Sequence, residues 1–115
     1  MTISVKHRVA IRFVDSTGKA PFDQWFDGLK DKSGKAKVVV RIERAESGLF
    51  GDHKGVGDGV IELRIDSGPG YRIYFGIHED KIILLLLGGD KGSQESDIKK
   101  AKEYWAEFKI RPETK

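Results

Sequence analysis

The sequence predicts an α+β domain, a small, mainly antiparallel sheet carrying a helical hairpin and a C-terminal helix. Three observations lead there. Residues 61–77 (IELRIDSGPGYRIYFGI) alternate apolar and polar side chains around a turn, the period-two pattern of paired strands with one buried face. The run Ile82 to Leu87 is apolar at every position, as a strand covered on both sides is. Two stripes, Phe22, Trp25, Phe26, Leu29 and Ile98, Ala101, Trp105, Phe108, recur at helical spacing. A chain of 115 residues makes one domain, taken here as 1–115.

The first strand is read from Val5, His7, Val9, Ile11 and Phe13, which alternate with Lys6, Arg8, Ala10 and Arg12. His7 is expected on its buried side. Asp15 to Gly18 ends the strand, and Pro21 suits the first turn of a helix. The aromatic stripe on that helix reads as packing, not as a platform for bases. The segment from Asp31 to Gly34 interrupts the periodicity. A second helix follows over 35–49, with Val38, Ile42, Ala45 and Leu49 on its buried line and three consecutive valines working against it. Two helices with a short link form an antiparallel hairpin.

Residues 48–59 (GLFGDHKGVGDG) are rich in glycine and read as a loop. The strand pair comes next. Ile61, Leu63 and Ile65 share one face with Tyr71, Ile73, Phe75 and Ile77. Glu62, Arg64 and Asp66 share the other with Arg72 and Tyr74, because residues paired across antiparallel strands point the same way. A three-residue loop, Gly68 to Gly70, sets Asp66 opposite Arg72 and Arg64 opposite Tyr74. Gly88 to Gly92 is read as leaving the sheet. Ser93 is an expected N-cap, with Glu95 and Asp97 in the first turn of a helix that stops near Pro112. The helices are expected on one face of the sheet, leaving Arg64, Arg72 and Tyr74 on an open one.

Composition narrows the chemistry. Lysine and arginine exceed the acids by only three (21 against 18), so bulk charge says little about a polyanionic partner. Distribution says more: Lys30, Lys32, Lys35, Lys37, Arg41 and Arg44 cluster, and Lys54, Arg64, Arg72 and Lys91 recur at strand and loop positions. Without cysteine there are no disulfides, thiolate zinc sites or cysteine nucleophiles, which fits a reducing compartment. The start of the chain lacks the apolar core of a signal peptide, and no apolar run is long enough for a bilayer. A cytoplasmic protein without cofactor or metal is expected. His78 beside Glu79 and Asp80 is too weak a pattern for a metal, and the glycines at 51–59 lack the GxxxxGK[ST] spacing of a phosphate loop. Plain alternatives accompany each cation: Arg64 pairing with Glu62, Arg72 with Asp66, and Lys54 as a solvated loop lysine.

The segments PFDQWFDGL, KGVGDGVIELRIDSGPGYRIYF and IILLLLGGDKGSQESDIKKAKEYW, in that order, resemble the RelE/ParE toxin superfamily, most of all its HigB-like "addiction module killer" branch. The resemblance spans about residues 5–108. It implies a RelE-like fold and the toxin of a type II toxin–antitoxin system, a ribosome-dependent mRNA interferase. It also implies a cognate antitoxin, usually a helix-turn-helix DNA-binding protein, with the ribosome and mRNA as the other partners and no membrane. Metal-free cleavage by a 2′-hydroxyl needs a proton acceptor, cations for the phosphorane and a donor for the leaving oxygen. By position, the resemblance implies Lys54, Arg64, Arg72 and Tyr74 as catalytic residues and Lys91, Arg41 and Arg44 as RNA-binding ones. Some relatives place a histidine on the hairpin strand or near the chain's end; here the histidines are His7, His53 and His78. Two further functions stay open: a same-fold toxin acting on DNA gyrase, and an inactive member that only binds its antitoxin or RNA.

Overall fold

The computed structural model describes residues 7–112, so Val5 and Lys6 of the expected first strand lie outside the described residues. The elements run β1 (Val9–Arg12), α1 (Pro21–Gly28), α2 (Lys32–Glu46), β2 (His53–Gly57), β3 (Val60–Ile65), β4 (Tyr71–His78), β5 (Ile82–Asp90), a 3-10 turn (Lys91–Ser93) and α3 (Gln94–Lys109). The five strands lie in the order β1-β5-β4-β3-β2. Only β1 and β5 pair in parallel; the other neighbours are antiparallel. The expected α+β architecture is the one observed.

The layering differs from expectation. One face of the sheet packs Leu63, Ile65, Ile73, Phe75, Ile83 and Leu85 against Phe22 of α1 and Val38 and Ala45 of α2. The opposite face packs Val60, Tyr74, Leu84 and Leu86 against Ala101 and Trp105 of α3. The helices therefore sit on both faces, and the face predicted to be open is half covered. The cause is β5: its apolar residues need a cover on each side, and α3, with a buried stripe of its own, supplies the second. A bulge helps. Tyr74 pairs with Leu87 and Phe75 with Leu85, so Leu86 is the extra residue and it shares the α3 side with Leu87.

Four local readings also change. Residues 53–57 form β2, an edge strand, within the segment expected to be a loop. Asp31 is not a breaker but the N-cap of α2, accepting from Gly34 N at 3.0 Å and from the Tyr71 hydroxyl at 2.9 Å. The helix thus starts earlier and stops at Glu46, leaving Leu49 58% exposed. Before β1, His7 is exposed, and on it Val9 is 61% exposed, because the strand is a four-residue edge; Phe13, just beyond it, is buried against Tyr104 of α3. Gly88, Gly89 and Asp90 remain within β5. They hold the sheet together at the end where the candidate site lies.

Candidate nucleic-acid interface

The site begins with register. Arg64 pairs with Arg72 and Glu62 with Tyr74, two residues away from the expected alignment, because the loop is Asp66 to Gly70. Backbone bonds from Ser67 N to Ile65 O and from Gly70 N to Ser67 O tighten it. Gly68 and Gly70 take φ of 52° and 81°, values that favour glycine. A slip of two keeps every side chain on its predicted face while exchanging its partner. The outcome is two arginines paired directly across the ladder.

They line a cleft of about 420 Å³ with Lys91, Asp52, Asp66 and the loop from Gly68 to Gly70. Like charges facing across a strand pair are unfavourable, so the arrangement favours an anion between them. Arg72 donates from Nη1 to Tyr71 O at 3.1 Å, while its Nε is buried without a hydrogen-bond partner. The Lys91 amide bonds to Gly70 O at 2.9 Å, tying the cleft's rim to the loop. The proton acceptors in the lining are the carboxylates of Asp52 and Asp66.

Behind Arg64 stands Glu62, which is 0% exposed. Its Oε1 accepts from Arg64 Nε at 2.9 Å and its Oε2 from Gln94 Nε2 at 2.9 Å. Burial by itself would raise this carboxyl; the contacts with Arg64, Gln94 and Tyr74 outweigh it and hold Glu62 below its ordinary value. The expected Arg64–Glu62 ion pair therefore exists. It does not cancel the site, since Arg64 remains a third exposed along its side chain.

The other expected residues divide. Tyr74 is 0% exposed. Burial and the neighbouring Glu62 charge push its phenol far above the ordinary 10.0, and its hydroxyl has no partner in hydrogen-bonding geometry. It lies under α3 and is closed to a base, which corrects its expected role in stacking or proton transfer. Lys54 pairs with Glu62 across β2 and β3 and so shares that face, exposed, one step along the ladder from the cleft lining.

Arg41 is also corrected. From α2 its guanidinium donates to the carbonyls of Arg64, Phe50 (2.7 Å) and Asp52 (3.0 Å), which fixes β3 to the chain before β2. Burial, opposed by Asp52 and aided by Arg44, draws it below its ordinary value. Those donors are spent inside the protein. Arg44 is exposed beside Lys37 and Val40 on α2, on the face away from the cleft.

Gln94 and Asp52 are absent from the sequence reading, and Glu62 enters it only as an ion-pair partner of Arg64, on the signal of an acid two residues earlier on the same strand face. Gln94 and Asp52 left none, since they arrive from distant segments. None of the three histidines lines the cleft: His53 bonds Gly51 O and packs on Phe50, His78 pairs with Glu79 and packs on Phe108, and His7 precedes β1.

The family model "Phage derived protein Gp49-like (DUF891)" matches residues 24–106. The chain belongs to this Gp49-like family. The family is of the RelE/toxin-like type and is associated with the toxins of toxin–antitoxin systems. A protein of Haemophilus influenzae strain Rd, described as uncharacterized, is 51% identical over 81 residues, covering 70% of this chain and 82% of its own. The Gp49-like segment holds every residue of the cleft lining and omits β1. Among the described residues no helix is long and apolar enough to cross a membrane.

Proposed function

We propose that this Gp49-like protein is a HigB-like toxin that stops translation by cutting mRNA on the ribosome, and that the Arg64–Arg72 cleft is its active site. The observation that carries the reading is the pairing of Arg64 with Arg72 across β3 and β4, both lining one cleft with Lys91. Arginine presents a planar fork to phosphate oxygens. A scissile phosphate between Arg64 and Arg72 gains charge as the 2′-hydroxyl attacks, and both side chains then hold it more tightly than in the ground state. Asp52 and Asp66 are the groups within reach of the hydroxyl proton. Lys91, with Lys54 further along the sheet, meets the RNA backbone. The same reading carries a cognate antitoxin, a small helix-turn-helix protein encoded beside the toxin, and a cytoplasmic site of action.

Induced expression should arrest growth, and primer extension should reveal new 5′ ends within translated messages. Arg64→Ala together with Arg72→Ala should restore growth in a chain that remains folded by circular dichroism. Arrest that survives the double substitution removes the cleft from the mechanism. One observation favours a second reading, a member that binds RNA or its partner without cutting. The cleft sets two carboxylates among three cations and holds no histidine. Steeply salt-dependent RNA binding with intact message would support it, and DNA breaks with intact message would point to gyrase.

A further inference from the structure

We infer that Glu62 is the positioning residue of the cleft, holding Arg64 by its Nε so that the two terminal amino groups face an incoming phosphate; the inference rests on the reading of the cleft given above. Unaided, Arg64 would not stay there. Arg72 stands opposite it and Lys91 lines the same cleft, so mutual repulsion drives a long, many-rotamer side chain outward into solvent. Glu62 opposes this from below. It projects from the same strand and the same face two residues earlier, it is wholly buried, and its second oxygen is fixed by Gln94 at the start of α3.

The placement of a carboxylate there asks for such a purpose. Val60, Leu84 and Leu86 on that face are apolar and Tyr74, paired with Glu62, is buried with them, so an apolar residue at 62 would avoid burying a charge. Glu62 cannot itself reach a substrate, since no part of it meets solvent. It acts through Arg64. Hydrogen bonding at Nε leaves Nη1 and Nη2 as a ready fork in the cleft that Arg64 lines with Arg72.

The experiment combines two readouts on the full chain: the Nε–H resonance of Arg64 in 15N-labelled protein, and cleavage of a reporter mRNA in cell-free translation. In the wild type that resonance should exchange slowly with water. In Glu62→Gln, whose neutral amide oxygen is a weaker acceptor, it should exchange faster than in the wild type, with cleavage reduced by about 10²-fold through misplacement and the fold retained. In an Arg64→Ala background, Glu62→Gln should cost nothing more. Wild-type Nε–H exchange as fast as free arginine overturns the inference, as does equal damage from Glu62→Gln with Arg64 already absent. If Glu62→Gln frees Nε–H while Arg64→Ala leaves cleavage whole, Glu62 still positions Arg64 and the active-site reading fails instead. Where Glu62→Gln does not fold, Gln94→Ala replaces it, with intermediate exchange expected and unchanged exchange counting against the inference.

Discussion

Two neighbouring rows of the same sheet face meet opposite fates. Glu62 and Tyr74 are sealed under α3, whereas Arg64 and Arg72, the next facing pair along β3 and β4, open into a cleft. All four side chains are polar. What separates the rows is where α3 begins, and Gln94 marks that line by touching Glu62. Polar residues on a sheet face therefore do not reveal a site; the end of the covering element does. The buried row then works for the open one, because the charge it hides fixes the charge that is displayed.

Removing the cover is the strongest way to break this contrast. Trp105 lies where a Cβ on Gly76 or Gly59 would stand and stacks on Phe108 at 5.8 Å. Trp105→Ala should lower stability by about 3–5 kcal/mol, measured by urea denaturation. A loss under about 1 kcal/mol would mean α3 does not hold the buried row.

Next in size, Arg64→Ala leaves Glu62 buried without its ion pair. A cost of about 1–3 kcal/mol is expected, toward the lower end because water reaches a third-exposed Arg64. Its signature is in acid. Glu62 is held below 4.5 in the folded chain, so its contribution is present above that value and is lost as pH falls through the folded pKa. Without Arg64 burial prevails, the carboxyl rises, and the part of the acid limb that Glu62 contributes should shrink or reverse. An unchanged limb would show that Arg64 does not govern Glu62.

Arg72→Met should do less and in the other direction. It removes a like charge facing Arg64 and an unpartnered buried Nε. Thermal unfolding should show a change within about 0.5 kcal/mol, stabilising at low salt and fading as salt screens the repulsion. Destabilisation as large as that of Arg64→Ala would erase the asymmetry between the two arginines.

The smallest effect at neutral pH is none at all. The phenols of Tyr71, Tyr74 and Tyr104 are all raised, burial being the first cause in each. A raised phenol adds stability below the unfolded value near 10.0 and loses it as pH climbs from there toward the folded pKa. Absorbance titration of the folded chain should show the tyrosines ionising above the ordinary value, with Tyr74 ionising only on alkaline unfolding. A tyrosine that ionises near pH 10 in the folded chain would contradict the sealed row if Tyr74→Phe abolishes that signal.

Alternation made the faces of β3 and β4 legible, and the apolar run of β5 made its double cover legible. Their logical product was missed: a strand apolar on both sides already requires a second layer, and α3, with Ala101 and Trp105 on one stripe, was the element left to make it. Register was hidden because a slip of two preserves parity; loop closure by Ser67, Gly68 and Gly70 decides it, and those residues suit loops of either length. Within the site, Arg64, Arg72 and Lys91 were legible as recurring cations. Arg41 was not, since a basic residue on a helix looks the same whether it faces water or three carbonyls. Tyr74 misled for a related reason: burial depends on α3, which lies some 20 residues further along the chain than its strand.

Gly88 and Gly89 carry a last consequence. A side chain on the first would collide with the Trp25 indole from α1, and one on the second with the Asp97 carboxylate from α3. At that point a single backbone is all that divides two helices lying on opposite surfaces, and Lys91 follows two residues later. A repacked indole on the far side would thus press, through the thickness of one strand, on the turn that carries the rim cation.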